Sequence, residues 1–390
     1  MEPRRKARLD GVLQEAVASG EIAGCVAMLN QHGQEIYYGQ AGYADREAGR
    51  PMTRDTIFRM FSMSKPVTAC AAMILLERGQ IDLLDPVQKY LPGFADQVYW
   101  DGAQLRRVEI PATIKDLLGM TSGVVYGGAQ GYAETRMQAL WAEVQAGQAR
   151  GEETGTVDFA NRMGRVPLAF APGSRWQYGA SADVLGAVVE VVSGKRFGDF
   201  LREEIFAPLK MQDTGFFLPE EKRGRFAAVY RQQGAELVRW TGAHLCILPL
   251  YDREPAFQSG GAGLVSTLDD YARFAQMLAR GGELDGARIL SPRTVRYMRQ
   301  NQLTPAQRAT CTWESLHGHG YGNFMRVLLE EGQAPSLGSM GEFGWDGWLG
   351  TYFCISPEDD LVLLLMLQKT DTGTIDVTRK FRSAAFAALD

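Results

Sequence analysis

The pattern of apolar and polar residues predicts strands near both ends of the chain. Residues 9–17 have the spacing of an amphipathic helix, and the short apolar runs 26–29 and 36–38 flank turn residues, as in a β-hairpin. Further apolar runs in the C-terminal third predict strands over 321–327, 350–355 and 361–367 and a helix over 377–389. The run 361–367 is apolar at every position, which is typical of a buried central strand.

Helical periodicity dominates the middle of the chain. It predicts helices over 66–77, 114–118, 183–192, 197–206 and 268–278. The most economical arrangement pairs the N- and C-terminal strands in one antiparallel sheet and leaves the middle as a helical insertion. The expected fold class is therefore α/β, in the α+β sense. Residues 1–80 and 256–390 would form a discontinuous α/β domain, and residues 81–255 a mainly helical domain.

Composition narrows the class of protein and its partners. The chain has 390 residues, of which 45% are hydrophobic and 22% charged, as in an ordinary globular protein. Its net charge of −5 comes from interspersed acids and bases, and no basic patch indicates nucleic acid. No apolar stretch reaches the roughly 18 residues that span a bilayer. We expect neither a nucleic acid nor a membrane as a partner.

The N-terminus and the cysteines indicate the cellular location. Residues 1–24 carry positive charge but no uninterrupted apolar core, so they do not resemble a signal peptide. The five cysteines are scattered and mostly flanked by apolar residues, as is typical of reduced thiols in a core. The sequence therefore predicts a cytoplasmic protein, or one from which a signal segment has been removed.

Several common catalytic motifs are missing from the sequence. It contains no Gly-x-Ser-x-Gly elbow, no His-Glu-x-x-His, no Cys-x-x-Cys, and no Walker or dinucleotide fingerprint. His317 and His319 alternate, which could place both imidazoles on one face of a strand. Such a pair without a carboxylate is more often a loop feature than a metal site. We expect no metal and no cofactor.

The tetrapeptide Ser62-Met63-Ser64-Lys65 is the strongest candidate for chemistry. It is the only Ser-x-x-Lys in the chain, and the predicted helix over 66–77 follows it directly. Residues i and i+3 share a helix face, so the Ser62 hydroxyl and the Lys65 amine can touch. A serine hydroxyl becomes nucleophilic when a neighbouring base takes its proton, and a lysine can be that base when burial lowers its pKa.

A serine–lysine site also needs a second proton relay, and Tyr178 is the candidate. It lies directly before the predicted helix over 183–192. A phenol near two cations would lose its proton well below its usual pKa. Taken alone, a tyrosine at this position is more often a half-buried aromatic residue with one hydrogen bond.

Five segments, in this order along the chain, resemble one family. They are residues 58–66, 117–123, 172–178, 261–267 and 343–348. They resemble the serine β-lactamase and penicillin-binding-protein superfamily over nearly the whole chain, and more closely its class C-like branch, which includes the family VIII carboxylesterases. The resemblance implies an active site between an α/β domain and a helical domain. It implies that Ser62 is the nucleophile, Lys65 its base partner and Tyr178 the relay. The backbone N–H groups of Ser62 and Trp348 would form the oxyanion hole.

Two positions depart from the family's pattern. Penicillin-recognising members carry Lys-Thr-Gly on the strand lining the substrate site, whereas this chain has Trp345-Asp346-Gly347 there. The ammonium that meets a substrate carboxylate is therefore missing. Ala180 stands where β-lactamases of this branch have an asparagine that would hold an amide carbonyl. Both changes favour esters over β-lactams and D-alanyl peptides, and the family VIII esterases share the Trp-x-Gly form.

The resemblance therefore predicts a serine carboxylesterase that cleaves small-molecule esters of short or medium chain length through an acyl-enzyme. Transfer of the acyl group to an alcohol is a second outcome of the same chemistry. Two alternatives stay open: a β-lactamase or D-amino-acid peptidase of the same superfamily, and a non-catalytic binding protein with the same fold. The loops 124–160 and 240–258 are expected to form the substrate pocket.

Overall fold

One large antiparallel sheet organises the computed structural model, which describes residues 1–389. In chain order the strands are β1 (Gly24–Gln31), β2 (Gln34–Asp45), β3 (Arg50–Pro51), β4 (Phe58–Arg59), β5 (Val98–Trp100), β6 (Leu105–Arg107), β7 (Val229–Gln233), β8 (Glu236–Trp240), β9 (Val265–Ser266), β10 (Glu283–Leu284), β11 (Ala287–Arg288), β12 (His319–Gly322), β13 (Met325–Leu328), β14 (Phe343–Asp346), β15 (Tyr352–Ser356) and β16 (Leu361–Leu367).

The helices fill the segments between and around these strands. In chain order they are α1 (Pro3–Ala18), α2 (Ser64–Glu77), α3 (Ile114–Gly119), α4 (Tyr132–Ala149), α5 (Thr156–Gly164), α6 (Ser181–Ser193), α7 (Phe197–Leu201), α8 (Leu268–Ala279), α9 (Pro292–Met298), α10 (Pro305–Arg308) and α11 (Asp376–Phe386). A π-helical segment covers Arg202–Phe206, and short 3-10 turns cover Phe61–Met63, Val87–Lys89, Pro92–Phe94, Glu220–Arg225, Glu314–Leu316 and Glu331–Gln333.

The large sheet joins the two ends of the chain. Its strand order is β12-β13-β14-β15-β16-β1-β2-β3, so all of its strands lie before residue 52 or after residue 318. At the junction, β1 pairs antiparallel with β16, from Cys25 opposite Leu367 to Gln31 opposite Leu361. The predicted fold class is confirmed. The boundaries proposed for the two domains stay a prediction.

Strand β16 is buried on both faces, which explains its continuous apolar run. Leu361, Leu363, Leu365 and Leu367 pack in one cluster with residues of α1 and α11. The alternating residues Val362, Leu364 and Met366 belong to the larger core on the other face, which includes α2 and α8. Because strand side chains alternate between faces, only an unbroken apolar run can fill two cores at once.

Helix α2 crosses the centre of the larger core. Every residue from Ser64 to Leu75 is buried, and small residues at Ala69, Ala71 and Ala72 allow neighbouring elements to pack closely. A helix that is apolar all round is typical of a protein interior. This burial anchors the turn that carries Ser62. Within residues 1–389, no helix combines the length and apolar character that crossing a bilayer requires.

Two predicted elements differ from the structure. The run 321–327, predicted as one strand, is a hairpin of β12 and β13, and its turn residues Asn323 and Phe324 have left-handed φ angles of 51° and 61°. Tyr321, Phe324 and Met325 are fully buried on both sides of Gly322 and Asn323, so apolar residues conceal a turn that these two residues mark. The helix predicted over 197–206 is α7 followed by the π-helical segment.

Candidate active site

Ser62 lies on a strained turn between β4 and α2. Phe61, at the start of this 3-10 turn, has a φ of 44°, a left-handed conformation that costs a non-glycine residue about 1–3 kcal/mol. The Phe61 ring packs against Trp348 at a centroid distance of 5.0 Å, and Thr351 Oγ1 donates to the Met60 carbonyl at 3.1 Å. Contacts with the turn after β14 thus stabilise the backbone that presents Ser62.

The two serines of the motif have different environments. Ser64 is 1% exposed, and its Oγ accepts a hydrogen bond from the Leu264 N–H at 3.1 Å. Ser62 is partly exposed, and its Oγ lies 3.0 Å from Lys65 Nζ. Ser64 therefore joins α2 to the segment before β9, whereas Ser62 faces the lysine.

Lys65 is fully buried, and its hydrogen-bond partners are oxygen atoms of uncharged groups. Nζ lies 3.0 Å from Ser62 Oγ and 3.0 Å from Tyr126 Oη, and it donates to the Gly261 carbonyl at 2.8 Å. Burial lowers the pKa of Lys65 to about 7, against the opposing charges of two more distant carboxylates. A large fraction of such an amine is unprotonated at neutral pH, so it can accept the Ser62 proton.

Asp183 positions the carbonyl that Lys65 contacts. Its Oδ1 accepts hydrogen bonds from Ser259 Oγ at 2.5 Å and from the Gly261 N–H at 3.1 Å. A Cβ at position 261 would lie 2.6 Å from Asp183 Oδ2 and 2.8 Å from Tyr126 Oη, so only glycine fits. Burial raises the pKa of Asp183, while the nearby lysine acts to lower it.

Tyr178 lies directly before α6 and beside Lys65. Lys65 Nζ is 4.7 Å from the centroid of its ring, and Trp345 Nε1 donates to Tyr178 Oη at 3.1 Å. Burial raises the pKa of Tyr178 well above its usual value, although hydrogen bonds with Ser62 and Trp345 act to lower it. The expectation that neighbouring cations would ionise this phenol is therefore wrong. Tyr178 rests as a neutral hydroxyl that can donate a proton.

Tyr126 is a site residue that the sequence did not identify. Its Oη lies 3.0 Å from Lys65 Nζ, although 61 residues separate the two along the chain. The loop 124–160 was expected only to line the pocket, and a single tyrosine after a Thr-Ser-Gly turn carries no spacing signal. The backbone of Gly179 packs so tightly on Val124 that a Cβ would lie 2.1 Å from the Val124 carbonyl oxygen. This contact fixes the Tyr126 segment beside Tyr178.

The turn after β14 brings Trp348 beside the Ser62 turn. A Cβ at Gly347 would lie 2.4 Å from the Met60 carbonyl oxygen, so glycine is needed for this close approach. The Trp348 carbonyl accepts from Thr372, and in residues 1–389 the Trp348 N–H takes part in no hydrogen bond. The two backbone groups predicted for the oxyanion hole therefore lie on adjoining turns.

Trp345 and Asp346 are consecutive residues of β14 with different contacts. Trp345 is 2% exposed and contacts Tyr178 through its indole N–H. Asp346, which is partly buried, forms an ion pair with the buried Arg326 of β13, whose guanidinium also lies 5.4 Å from the centroid of the Trp345 ring. The negative charge of Asp346 is thus neutralised by Arg326.

The described residues offer no group of three or more His, Cys, Asp or Glu side chains arranged to hold a metal ion. His319 Nδ1 lies 2.8 Å from the His317 carbonyl oxygen, and burial lowers the pKa of His319 to about 3. The contact between these two histidines is therefore a local one, between the His319 ring and the His317 backbone. All five cysteines are unpaired, and four of them are buried.

Comparison with known proteins identifies the family. A protein-family model described as Beta-lactamase matches residues 9–388, and the chain belongs to this family. It is 32% identical to Esterase EstB of Burkholderia gladioli over 398 aligned positions, which cover 98% of this chain and 95% of that protein. It is 25% identical to monacolin J acid methylbutanoyltransferase of Aspergillus terreus, with coverages of 97% and 95%.

A solved structure supports the same family assignment. The chain superposes on EstCE1, described as a hydrolase with promiscuous acyltransferase activity, with a TM-score of 0.83 and 28% identity. The match covers 98% of this chain and 99% of that chain. The family predicted from the motifs is confirmed.

Proposed function

We propose that this protein is a serine carboxylesterase that cleaves small-molecule esters of short or medium chain length through an acyl-Ser62 intermediate. The observation that carries the proposal is the contact between Lys65 Nζ and Ser62 Oγ at 3.0 Å, with the pKa of Lys65 lowered to about 7 by burial. A base that is neutral near the working pH and in contact with a hydroxyl activates that hydroxyl as a nucleophile.

The acylation step uses each group in turn. Lys65 takes the Ser62 proton as Oγ bonds to the ester carbonyl carbon, and the N–H groups of Ser62 and Trp348 stabilise the negative oxygen. The bond to the alcohol then breaks while Tyr178 gives its phenolic proton to the departing oxygen. The Lys65 ammonium restores that proton and returns to the neutral amine.

Deacylation runs the same route in reverse. Water gives its proton to Lys65 as it attacks the acyl carbon, and Ser62 Oγ leaves with a proton from the relay. When an alcohol takes the place of water, the product is a new ester, so the site also supports acyl transfer. Product formation in the presence of an added alcohol measures the balance between the two reactions.

Esters are favoured over β-lactams by the residues around Ser62. Lys65 is neutral in a large fraction of molecules, Arg326 is paired with Asp346, and the Trp345 N–H is bonded to Tyr178. Ala180, buried at the start of α6, offers no amide to a substrate carbonyl. The name of the relative EstB agrees with this preference. A β-lactamase or D-amino-acid peptidase would instead turn over cephalosporins or D-peptides.

The first test compares the two serines of the motif. Ser62→Ala should lower ester turnover by about 10³-fold or more and abolish labelling by a serine-directed phosphonate, because the covalent route is lost. Ser64→Ala is the matched control and should keep both, at the cost of one buried hydrogen bond worth about 1 kcal/mol. Activity that survives in Ser62→Ala but not in Ser64→Ala would contradict the site assignment. A wild-type protein that is neither labelled nor active would indicate the non-catalytic alternative.

A further inference from the structure

Trp313 is an exposed aromatic side chain next to the predicted relay. Its ring lies 5.0 Å from the ring of Tyr178, centroid to centroid, and 43% of the residue is exposed. Two other tryptophans that contact Tyr178 are buried: Trp176 is 4% exposed and Trp345 2% exposed. The ring of Tyr126 also lies near Tyr178 but is less exposed than Trp313, so the most exposed apolar surface beside Tyr178 is the indole of Trp313.

Hydrogen bonds join the segment before Trp313, residues 307–310, to the segment 173–176 that precedes Tyr178. Thr310 Oγ1 accepts a hydrogen bond from the Trp176 N–H at 3.0 Å and donates to the Gln307 carbonyl at 2.6 Å. Gln307 Nε2 donates to the Gly173 carbonyl at 2.7 Å, and Gln307 closes a capping box on α10. The position of this segment is thus set before any ligand arrives.

The Trp313 indole is also oriented by its neighbour. It meets the Trp176 ring edge to face, with centroids 5.4 Å apart and an interplanar angle of 88°. Edge-to-face packing is a favoured geometry for aromatic pairs, so this contact stabilises the orientation of the exposed indole. A large aromatic group kept rigid at a polar site provides contact area at little entropic cost on binding.

We propose that Trp313 is a platform for the alcohol part of the ester, and that the enzyme prefers esters of benzylic alcohols to esters of saturated alcohols of similar size. The inference rests on the proposed function, because Tyr178 must give its proton to the departing alcohol. That alcohol then lies beside Tyr178, where Trp313 is the exposed ring. A planar ring in the alcohol can pack on the indole more favourably than a puckered aliphatic ring can.

The test compares benzyl butanoate with cyclohexylmethyl butanoate. The two esters share the acyl group and a primary alcohol, and differ in whether the ring is aromatic. In Trp313→Ala the ratio of kcat/KM for the benzyl ester to kcat/KM for the cyclohexylmethyl ester should fall by about three- to tenfold, because the value for the benzyl ester falls. Trp313→Phe should keep much of the wild-type ratio, because it retains an aromatic ring. Benzyl alcohol should also become a weaker competitive inhibitor in Trp313→Ala.

The matched control is Trp100→Ala, which removes a tryptophan that stacks on Tyr132 at 4.7 Å, outside the rings around Tyr178. This variant should leave the ratio unchanged. If Trp313→Ala leaves the ratio and the benzyl alcohol inhibition unchanged while Ser62→Ala is inactive, the platform is contradicted and the esterase proposal stands. If Ser62→Ala retains full turnover, the esterase proposal itself fails.

Discussion

Lys65 and Arg326 are two buried basic side chains near the Tyr178 and Trp345 rings: Lys65 lies beside the Tyr178 ring and Arg326 beside the Trp345 ring. Their environments shift their pKa values in opposite directions. Lys65 contacts the oxygen atoms of two hydroxyls and one carbonyl, and burial lowers its pKa to about 7. Burial also acts to lower the pKa of Arg326, but the interactions with Asp346 and Tyr352 together outweigh it and the pKa is raised.

The difference shows that burial alone does not decide the charge of a basic side chain. A carboxylate in contact keeps the cation protonated and makes the pair structural, whereas neutral oxygen partners leave desolvation unopposed. Asp183 is near enough to influence Lys65, yet its hydrogen bonds go to Ser259 and Gly261. One buried cation is thus held in an ion pair, and the other buried amine has a lowered pKa, which fits the proton transfer proposed for it.

The largest loss of activity is expected when Lys65 is replaced by arginine, whose side chain stays protonated. Lys65→Arg should lower kcat/KM by about 10³-fold or more, because a guanidinium stays protonated and cannot take the Ser62 proton. Steady-state kinetics on an ester measures the loss, and circular dichroism checks that the fold is kept. A folded Lys65→Arg variant with near wild-type activity would show that proton acceptance by residue 65 is not required.

The second test removes the partner of Asp346. Arg326→Met should lower the free energy of unfolding by about 1–3 kcal/mol, because a partly buried carboxylate loses its cation. The double variant Arg326→Met/Asp346→Leu should recover much of this loss, since no charge remains buried. Urea unfolding of the two variants and the wild type measures both effects. Equal stability of Arg326→Met and wild type would remove the structural role given to this pair.

The third test asks whether either cation binds a substrate carboxylate. An uncharged ester should have a kcat/KM about ten- to a hundredfold above its free-acid analogue with the same leaving group, because the carboxylate loses hydration and no charge-assisted hydrogen bond offsets that loss. Arg326 is already paired with Asp346, and Lys65 is turned toward Ser62. A higher kcat/KM for the acid would favour the penicillin-recognising alternative.

The smallest effect is expected in the pH dependence of the activity, which reports the protonation of Lys65. Activity requires the neutral amine, so kcat/KM should rise with pH through about 7 and level off above it. Asp183 favours the protonated form, so Asp183→Asn should move this limb to lower pH and raise relative activity below pH 7. A displacement of one pH unit corresponds to about tenfold in the neutral fraction. A limb that stays in place or moves to higher pH would show that the Asp183 charge does not act on the base.

The elements that the sequence predicted well are those fixed by nearby residues. Ser62 and Lys65 meet because they lie three positions apart on one turn of backbone, whatever the rest of the fold does. Strand β16 could be predicted because a seven-residue apolar run between turn residues is typical of a buried strand and is too short for most helices. The β12–β13 hairpin was missed because buried apolar residues on both sides of its turn outweigh the turn signal of Gly322 and Asn323. The roles of Ser62, Lys65, Tyr178, Trp348 and the 345–347 strand stay predictions.

The sequence by itself determined the family, the fold class and the spacing that joins Ser62 to Lys65, because each depends on motifs or periodicity within short segments. Tertiary structure alone decided that Lys65 is a weak base, that Tyr126 joins it, that Tyr178 rests protonated and that Asp346 is neutralised. Gly261 contacts Lys65 across 196 residues of chain, and Arg326 contacts Asp346 across 20. Desolvation and ion pairing depend on which distant segments exclude water or supply a charge, and only the packed chain establishes both.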